Sequence, residues 1–267
     1  MEIVEIPAKI FLIGEYLVLE GGDAVLEAIR PGYRFEFGEE VRGPVPHTES
    51  PAGRLLQGAG AHDARFRLLE GSAPPGYGGS TAECLMAWRQ VKGAWPAPTE
   101  IHQWYRREVP RASGADLSLQ AERIFHPQAV EAPRGYHRLY LLERLQVSKR
   151  PTHEDLAMDR PPIRREVLSS LVARFRSQIL DPVENGFCVL GEFAEELSRT
   201  GRETEDSRRI RKVLEAEAGV EGVKGCGAGL HDQFLLAIRP GVDPGSIESA
   251  VTQAGLRIRS SLMECLW

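Results

Sequence analysis

A cluster of glycines that runs directly into a helical pattern places the strongest constraint on the fold of this chain. The cluster and the two hydroxyl residues after it are Gly76, Tyr77, Gly78, Gly79, Ser80 and Thr81. Apolar residues then recur at helical spacing, at Cys84, Leu85, Trp88 and Val91. Small residues let backbone N–H groups approach an anion, and a helix N-terminus carries partial positive charge. The pattern is typical of a phosphate-binding loop, and also of a turn followed by a capped helix.

The chain lacks the motifs of two large classes of nucleotide-binding proteins. It has no G-x-x-x-x-G-K-[ST] motif, which argues against a P-loop NTPase. It has no paired H-R-D and D-F-G motifs, which argues against a protein kinase. A phosphate-binding glycine loop in this chain therefore requires a different architecture.

Composition describes an ordinary globular protein and excludes several classes of partner. The 267 residues carry a formal net charge of −5, with 42% hydrophobic and 27% charged residues. Nucleic-acid binding would require clustered, unbalanced Lys and Arg, and a membrane span would require an apolar run of about 20 residues. The four cysteines have no C-x-x-C spacing, so we expect neither a zinc site nor a disulfide framework. The sequence predicts a cytoplasmic monomer or homodimer with no nucleic-acid or membrane partner.

Apolar patterns in the first part of the chain predict mainly strands. Strands are predicted at Ile10–Ile13, Leu17–Leu19, Tyr33–Phe37 and Leu139–Leu142, and around Leu117 and Leu119. The first two would be joined through Gly14–Tyr16. A loop is predicted where Pro44, Pro46, Pro51 and Gly53 cluster.

The second part of the chain predicts an α+β lobe. Amphipathic stripes predict helices over Val167–Ile179, Phe187–Leu197 and Ile210–Leu214. Apolar runs predict strands at Phe234–Ile238 and Leu256–Ser260. Pro161 and Pro162 predict a linker at roughly residues 150 to 162. Boundaries that are predicted in this way err by about 2–4 residues.

Four segments in a fixed order resemble the motifs of the GHMP kinases, the superfamily of galactokinase, homoserine kinase, mevalonate kinase and phosphomevalonate kinase. The segments are Pro7–Tyr16, Pro75–Ala82, Ser113–Asp116 and Lys224–Gly229. The resemblance favours the mevalonate and phosphomevalonate kinase branch, and Tyr16 favours the phosphomevalonate version of the first motif. It implies an α+β, two-lobed fold with a ribosomal-protein-S5-like first lobe, residues 1–155, and a ferredoxin-like second lobe, residues 156–267.

The resemblance also implies an ATP-dependent kinase that transfers the γ-phosphoryl group to a mevalonate- or phosphomevalonate-like substrate, with Mg²⁺ as cofactor. Lys9 and Asp116 match the catalytic lysine and aspartate of the family. Asp116 would accept or orient the substrate hydroxyl, and Lys9 would stabilise the developing negative charge. Taken alone, Lys9 is typical of a lysine at a strand edge and Asp116 of a residue in a turn.

The remaining matched positions imply binding roles. The nucleotide would be held by Gly76 through Thr81, and the Ser80 hydroxyl would be a Mg²⁺ ligand, because Mg²⁺ prefers oxygen. The residues expected on the substrate side are Glu15, Tyr16, Ser113 and Gly114. The residues expected to support the nucleotide loop from the third motif are Gly225, Gly227, Ala228 and Gly229. Lys149, Arg150 and Thr152 are typical of an exposed linker, or of a cleft that binds a phosphorylated substrate.

Several positions depart from the family pattern and leave two alternatives open. Gly79 stands in place of the first serine of the loop, Tyr77 in place of a leucine and Ala8 in place of a glycine. The acidic Mg²⁺ ligand is not identified, and Glu83 and Glu108 are the candidates. One alternative is a catalytically silent GHMP-like protein that binds a nucleotide or metabolite, and the other is a sugar or amino-alcohol kinase of the same superfamily.

Overall fold

A computed structural model describes residues 1–73, 76–109, 112–125, 132–145, 160–183, 186–227 and 233–267. Its contacts divide the chain into two compact units. Unit 1 consists of Met1–Ile10, Leu26–Ala129 and Leu266–Trp267, and unit 2 consists of Phe11–Val25 and Val130–Cys265. These units interleave along the sequence, whereas the predicted lobes, 1–155 and 156–267, are continuous segments. The lobe assignment stays a prediction.

The first three strands form one sheet, with the order β1-β2-β3. Strand β1 spans Glu2–Ile13, β2 spans Val25–Phe37 and β3 spans Phe66–Leu68. Strands β2 and β3 are antiparallel, with Phe35 opposite Leu68. The alternating aromatic residues of the predicted strand at Tyr33–Phe37 lie in β2 and place Tyr33 and Phe35 in the core.

Four helices complete the described part of unit 1. They are α1 (Pro51–Gly58), α2 (Gly79–Lys92), α3 (Pro98–Glu108) and α4 (Ala115–Phe125). Helix α2 packs against α1 and α4, and α3 packs against α4. The predicted helix after the glycine cluster is therefore confirmed, and its apolar face, including Cys84 and Leu85, is fully buried.

Two predictions in unit 1 are wrong. Pro51 and Gly53 lie in α1 and not in a loop, because Ser50 caps the helix by accepting a hydrogen bond from the Gly53 N–H, and Pro51 suits the first helical position. Leu117 and Leu119 lie in α4 and not in a strand. The buried residues there are Leu117, Gln120 and Ala121, which is helical spacing, and the two leucines alone were too short a pattern to reveal it.

Unit 2 contains a four-stranded sheet with the order β5-β6-β4-β7. Its antiparallel strands are β4 (Leu139–Arg144), β5 (Val220–Cys226), β6 (Gln233–Ile238) and β7 (Leu256–Ser261). The helices are α5 (Arg165–Leu180), α6 (Val189–Arg199), α7 (Glu205–Glu215) and α8 (Glu248–Gln253). In chain order the elements are β4, α5, α6, α7, β5, β6, α8 and β7, which is the β-α-β-β-α-β order of ferredoxin-like folds with three helices in place of the first one. The predicted α+β class is confirmed, although β4 lies in the segment that the sequence analysis assigned to the first lobe.

The core of unit 2 lies between this sheet and its helices. Helices α6 and α7 pack against β5, and α8 packs against β7. One buried apolar cluster in this core consists of Leu142, Ile210, Leu214, Val220, Val223, Phe234, Leu236, Ile238, Ile247, Val251 and Leu256. The three predicted amphipathic helices and the strands at Leu139, Phe234 and Leu256 are confirmed by this arrangement.

The predicted strand at Leu17–Leu19 is a 3-10 helix, Leu17–Glu20. Glycines with positive φ, Gly14 at 96° and Gly21 at 76°, lie on either side of it. The Val18 N–H donates to the Gly14 carbonyl at 3.0 Å, which closes a turn immediately after β1. The apolar run is buried only at Leu17, so its hydrophobicity does not mark a strand.

No helix in the described ranges is both long enough and apolar enough to cross a membrane.

Candidate active site

Lys9 lies on β1 beside the glycine loop. Lys9 is almost completely buried, and its backbone N–H donates a hydrogen bond of 2.9 Å to the carbonyl of Tyr77. Ala8, which precedes it, is fully buried. The strand that carries Lys9 is thus bonded directly to the loop, because extended backbone offers its N–H groups to a neighbouring chain.

Asp116 lies in the first turn of α4 and forms an ion pair with Lys9. The distance between Lys9 Nζ and Asp116 Oδ2 is 3.7 Å, and 22% of the Asp116 side chain is exposed. Its other oxygen, Oδ1, accepts a hydrogen bond from the Leu117 N–H at 3.0 Å. Within unit 1, the pair connects the first motif, which contains Lys9, to the S-G-x-D motif, which contains Asp116.

Ser113 and Gly114 shape the start of α4. The Ser113 hydroxyl accepts a hydrogen bond from the Ala115 N–H at 3.3 Å. Gly114 has a φ of 73°, in the left-handed region, and its carbonyl accepts hydrogen bonds from the N–H and the hydroxyl of Ser118. The S-G-x-D segment therefore sets the direction in which Asp116 leaves the turn.

The glycine loop ends where α2 begins. Gly76 and Gly78 have positive φ, and Gly78 is the N-cap of α2. The Thr81 hydroxyl oxygen lies 2.8 Å from the Gly78 carbonyl oxygen, and the N-cap glycine offers no side chain to accept from the first N–H groups of the helix. Uncapped N–H groups and the positive end of a helix form an arrangement that can bind an anion.

The loop packs so tightly that a side chain at Gly78 would collide with Lys9. A Cβ placed on Gly78 would lie 2.9 Å from Lys9 Cγ and 3.2 Å from Gln120 Nε2. The same test on Gly79 gives 3.3 Å to the ring of Tyr33. Glycine at Gly78 is thus required both by its left-handed backbone and by its contact with the lysine.

Gln120 is a buried residue of this region that sequence reasoning missed. It is fully buried on α4, one turn after Asp116. Its Nε2 donates to the carbonyl of Pro7 at 2.7 Å and to that of Gly78 at 3.3 Å. Its Oε1 accepts a hydrogen bond of 2.5 Å from the Thr81 hydroxyl. A polar residue at a core position of a helix was the available signal, but the segment was interpreted as a strand.

Two neighbours of Asp116, the Cys84 thiol and the Tyr105 hydroxyl, have raised pKa values. Burial, followed by the negative charge of Asp116, raises the pKa of the Cys84 thiol. Burial, Asp116 and Cys84, in that order, raise the pKa of the Tyr105 hydroxyl. Both groups therefore keep their protons at neutral pH.

The predicted metal ligands lie on two helices of unit 1, Ser80 and Glu83 on α2 and Glu108 on α3. Ser80 is exposed in the first turn of α2, and Glu83 follows it by three residues on the same helix. Burial raises the pKa of the Glu83 carboxyl. The carboxylate of Glu108 lies 3.3 Å from the guanidinium of Arg107 at the end of α3. Across the described ranges, no group of three or more His, Cys, Asp or Glu residues could hold a metal ion.

The other predicted residues belong to unit 2, where Glu15 pairs with Lys224 of the third motif. The distance between Lys224 Nζ and Glu15 Oε1 is 2.5 Å, and both side chains are buried. Burial lowers the pKa of Lys224, but the neighbouring Cys226 and Glu15 outweigh it and leave that pKa raised. The second oxygen of Glu15, Oε2, is buried without a hydrogen-bond partner among the described residues.

Around this pair, Gly14 and Tyr16 hold the turn after β1. A Cβ on Gly14 would lie 2.6 Å from the carbonyl oxygen of Asp23. The ring of Tyr16 is buried, with the guanidinium carbon of Arg202 at 5.7 Å from its centre. Gly225 lies in β5 and Gly227 follows it with a φ of 83°. Ala228 and Gly229 lie outside the described residues, as do Pro75, Lys149, Arg150 and Thr152.

Comparison with known proteins finds similarity in structure but not in sequence. No protein-family model and no curated protein matches the chain. Mevalonate kinase of Methanococcus jannaschii is similar in structure, with a TM-score of 0.64, 13% identity and coverage of 96% of both chains. Phosphomevalonate kinase of Streptococcus pneumoniae, in complex with phosphomevalonate and AMPPNP, has a TM-score of 0.65 and 14% identity, over 97% of this chain and 98% of that one.

A galactokinase is similar to the same degree. The Lactococcus lactis enzyme complexed with galactose has a TM-score of 0.66 and 13% identity, over 97% of this chain and 94% of that one. All three proteins are GHMP kinases, and each is matched over nearly its whole length. The chain therefore has the fold of the GHMP kinases.

Proposed function

We propose that this protein is an ATP-dependent small-molecule kinase that transfers the γ-phosphoryl group to a mevalonate- or phosphomevalonate-like substrate. The observation that carries the proposal is the Lys9–Asp116 pair, which lies beside the glycine loop in a chain with the GHMP kinase fold. A cation and a carboxylate side by side suit phosphoryl transfer, because that reaction requires positioned oxygens and neutralised charge more than covalent catalysis.

Asp116 would accept or orient the proton of the attacking hydroxyl, and Lys9 would stabilise the negative charge that develops on the transferred group. Their separation of 3.7 Å is wider than the roughly 2.7–2.9 Å of a tight charged hydrogen bond. Both side chains are partly exposed, so a substrate oxygen can approach the pair. The neutral Cys84 and Tyr105 leave Asp116 as the candidate base among the groups described here.

The loop from Gly76 to Thr81 would hold the phosphates of the nucleotide. Its support is the uncapped start of α2 and the close packing of Gly78, which leaves backbone and not side chain at this surface. Bound Mg²⁺ would neutralise phosphate charge. The Ser80 hydroxyl is its proposed ligand, and Glu83, three residues later on α2, is the better placed of the two candidate acids.

The remaining assignments are proposals that extend the site. Ser113 and Gly114 would place the substrate hydroxyl near Asp116, because they fix the start of α4. Tyr16 is proposed on the substrate side, and the third motif, including Gly225 and Gly227, as support for the nucleotide loop. Glu15, which the motif also indicated for the substrate side, is buried in its pair with Lys224 and is proposed to hold the turn that carries Tyr16.

The structural similarity to galactokinase keeps a sugar kinase as a second candidate, since its TM-score of 0.66 equals or exceeds those of the other two kinases. Tyr16 of the first motif favours a phosphomevalonate-like substrate. Direct assay with each class of acceptor separates the two.

The test is coupled ADP release by the purified protein with Mg·ATP against mevalonate, phosphomevalonate, galactose and homoserine. The Asp116→Asn variant serves as the matched control, because it removes a charge but little volume. We expect turnover with one acceptor, a loss of about 10²–10⁴-fold in kcat for the variant, and retained Mg·ATP binding. Equal turnover by the variant would contradict the role of Asp116, and nucleotide binding without turnover would favour the silent homologue.

A further inference from the structure

Gln120 lies on α4 and forms hydrogen bonds with β1 and with the glycine loop at the start of α2, so that it connects three segments of unit 1. Its carboxamide nitrogen donates to the carbonyls of Pro7 and Gly78, and its oxygen accepts from the Thr81 hydroxyl. The side chain is fully buried. Glutamine is mostly exposed in proteins, and a buried carboxamide is stable only when its donors and acceptors are satisfied. Its place in the core therefore reflects these particular bonds.

The three segments are those that carry the proposed chemistry. Pro7 precedes Lys9 by two residues on β1. Gly78 is the last residue of the glycine loop, and Thr81 lies in the first turn of α2. Gln120 itself follows Asp116 by four residues on α4, and residues at this spacing lie on the same face of a helix. One side chain thus connects the lysine strand, the loop and the aspartate helix.

The contact between the loop and Lys9 leaves little room for movement. The Gly78 backbone is close enough that an added Cβ would lie 2.9 Å from Lys9 and 3.2 Å from Gln120. A shift of the loop would therefore move the lysine or open a gap beside it. Displacements of about 1 Å are enough to slow a positioned reaction by about 10²-fold.

We propose that Gln120 is a positioning residue for phosphoryl transfer, which sets the glycine loop in register with the Lys9–Asp116 pair. It contacts neither the nucleotide nor the acceptor and acts through the backbone of Pro7 and Gly78 and through Thr81. The inference rests on the proposed kinase function.

The chain offers a matched control in Gln90. This half-buried glutamine also bonds backbone groups through both ends of its carboxamide, accepting from the Arg65 N–H at 2.8 Å and donating to the Asp63 carbonyl at 2.9 Å. It lies on α2, in unit 1, but bonds none of the four motifs. Gln90→Met and Gln120→Met remove the same chemical group from the same compact unit.

The experiment compares kcat, KM for ATP and thermal midpoint for the wild type, Gln120→Met and Gln90→Met, with rates taken per folded molecule. We expect both variants to melt earlier. Only Gln120→Met should have a lower kcat than the wild type, by about 10–100-fold, and its KM for ATP should change much less. If Gln120→Met does not fold, Thr81→Val removes one of its bonds with little change of shape and should lower kcat in the same direction.

The outcomes separate this inference from the proposed function. Equal kcat per folded molecule for the wild type and the Gln120 and Thr81 variants would overturn the positioning role while leaving the kinase intact. The same loss of kcat in Gln90→Met would also overturn it, because the effect would then be a general loosening of unit 1. A wild type that neither binds Mg·ATP nor turns over any acceptor would overturn the kinase and this inference together.

Discussion

Each unit contains a lysine that is paired with a carboxylate, and both residues of each pair belong to the sequence motifs. The two pairs differ in the distance between their charged atoms and in their exposure to solvent. In unit 1, Lys9 and Asp116 lie 3.7 Å apart, with 11% and 22% of their side chains exposed. In unit 2, Lys224 and Glu15 lie 2.5 Å apart, with 0% and 7% exposed. The first pair is loose and reachable by solvent, whereas the second is tight and sealed.

The difference suggests different work for the two pairs. A charge that binds a substrate oxygen must be reachable from solvent, and 11% of the Lys9 side chain and 22% of the Asp116 side chain are exposed. A fully buried pair has lost its hydration, so each charge depends on the other and cannot be removed alone without a large penalty. We therefore expect changes at the first pair to affect mainly catalysis, and changes at the second to affect mainly stability.

The largest effect on stability is expected from Lys224→Met. This change leaves Glu15 buried without its cation, and one of its oxygens already has no described hydrogen-bond partner. We expect the free energy of unfolding to fall by about 3–5 kcal/mol, measured by urea denaturation. Lys212→Met is the control, since its ammonium is 59% exposed and its loss should cost under about 1 kcal/mol. Equal losses of unfolding free energy in Lys224→Met and Lys212→Met would contradict the difference expected between a buried and an exposed lysine.

A smaller effect on stability, coupled to catalysis, is expected from Gly78→Ala. Alanine at a left-handed position costs about 1–2 kcal/mol, and its Cβ would press on Lys9. Gly93→Ala is matched, because Gly93 has a φ of 74° at the other end of α2 and open space around it. Urea denaturation should show a loss of stability for both variants, and a larger one for Gly78→Ala, because only its Cβ meets Lys9. Only Gly78→Ala should lower kcat, by about tenfold, and an equal kcat for both would contradict the tight packing of the loop on Lys9.

The smallest effects are expected from pH, and they should have opposite signs in the two units. The hydrogen bond from Arg164 lowers the pKa of the Glu196 carboxyl in unit 2. Its contribution to stability is therefore present above the unfolded pKa of about 4.3 and is lost as pH falls through the folded value. Burial raises the pKa of Glu83 in unit 1, so its contribution is present below about pH 4.3 and is lost as pH rises through the folded value.

Matched glutamine variants test these signs by urea denaturation between pH 3.5 and 7, a range set around the ordinary carboxyl pKa of about 4.3. Glu196→Gln should be less stable than the wild type at neutral pH and approach it on acidification. Glu83→Gln should be more stable at neutral pH and approach it on acidification. The same sign for both variants would contradict the assigned causes of the two pKa shifts.

Local patterns were sufficient to predict much of the fold. The stripe from Val167 to Ile179 fixes α5, and the glycine run followed by Cys84, Leu85 and Trp88 fixes α2, because both depend on residues close in sequence. The turn at Leu17–Glu20 was missed because its shape depends on the backbone of Gly14 and Gly21, and hydrophobicity does not report it.

The candidate site was less predictable, because its organisation depends on contacts between distant residues. The motifs indicated Lys9 and Asp116, but no local pattern relates Gln120 to Pro7, which lies 113 residues earlier. Likewise, no local pattern relates Lys224 to Glu15, which lies 209 residues earlier. Which distant residues form a pair depends on how the whole unit packs. Composition and the spacing of apolar residues carry no information about that packing.

The most direct test of the comparison is a joint measurement of kcat and unfolding free energy for Lys9→Met beside Lys224→Met. Removing Lys9 should lower kcat by about 10²–10³-fold, as the loss of one charge-stabilising group does. It should cost less stability than Lys224→Met does, since 22% of the Asp116 side chain is exposed to water, against 7% of the Glu15 side chain. A Lys9→Met protein that keeps its turnover and loses stability as Lys224→Met does would contradict the division of work between the two pairs.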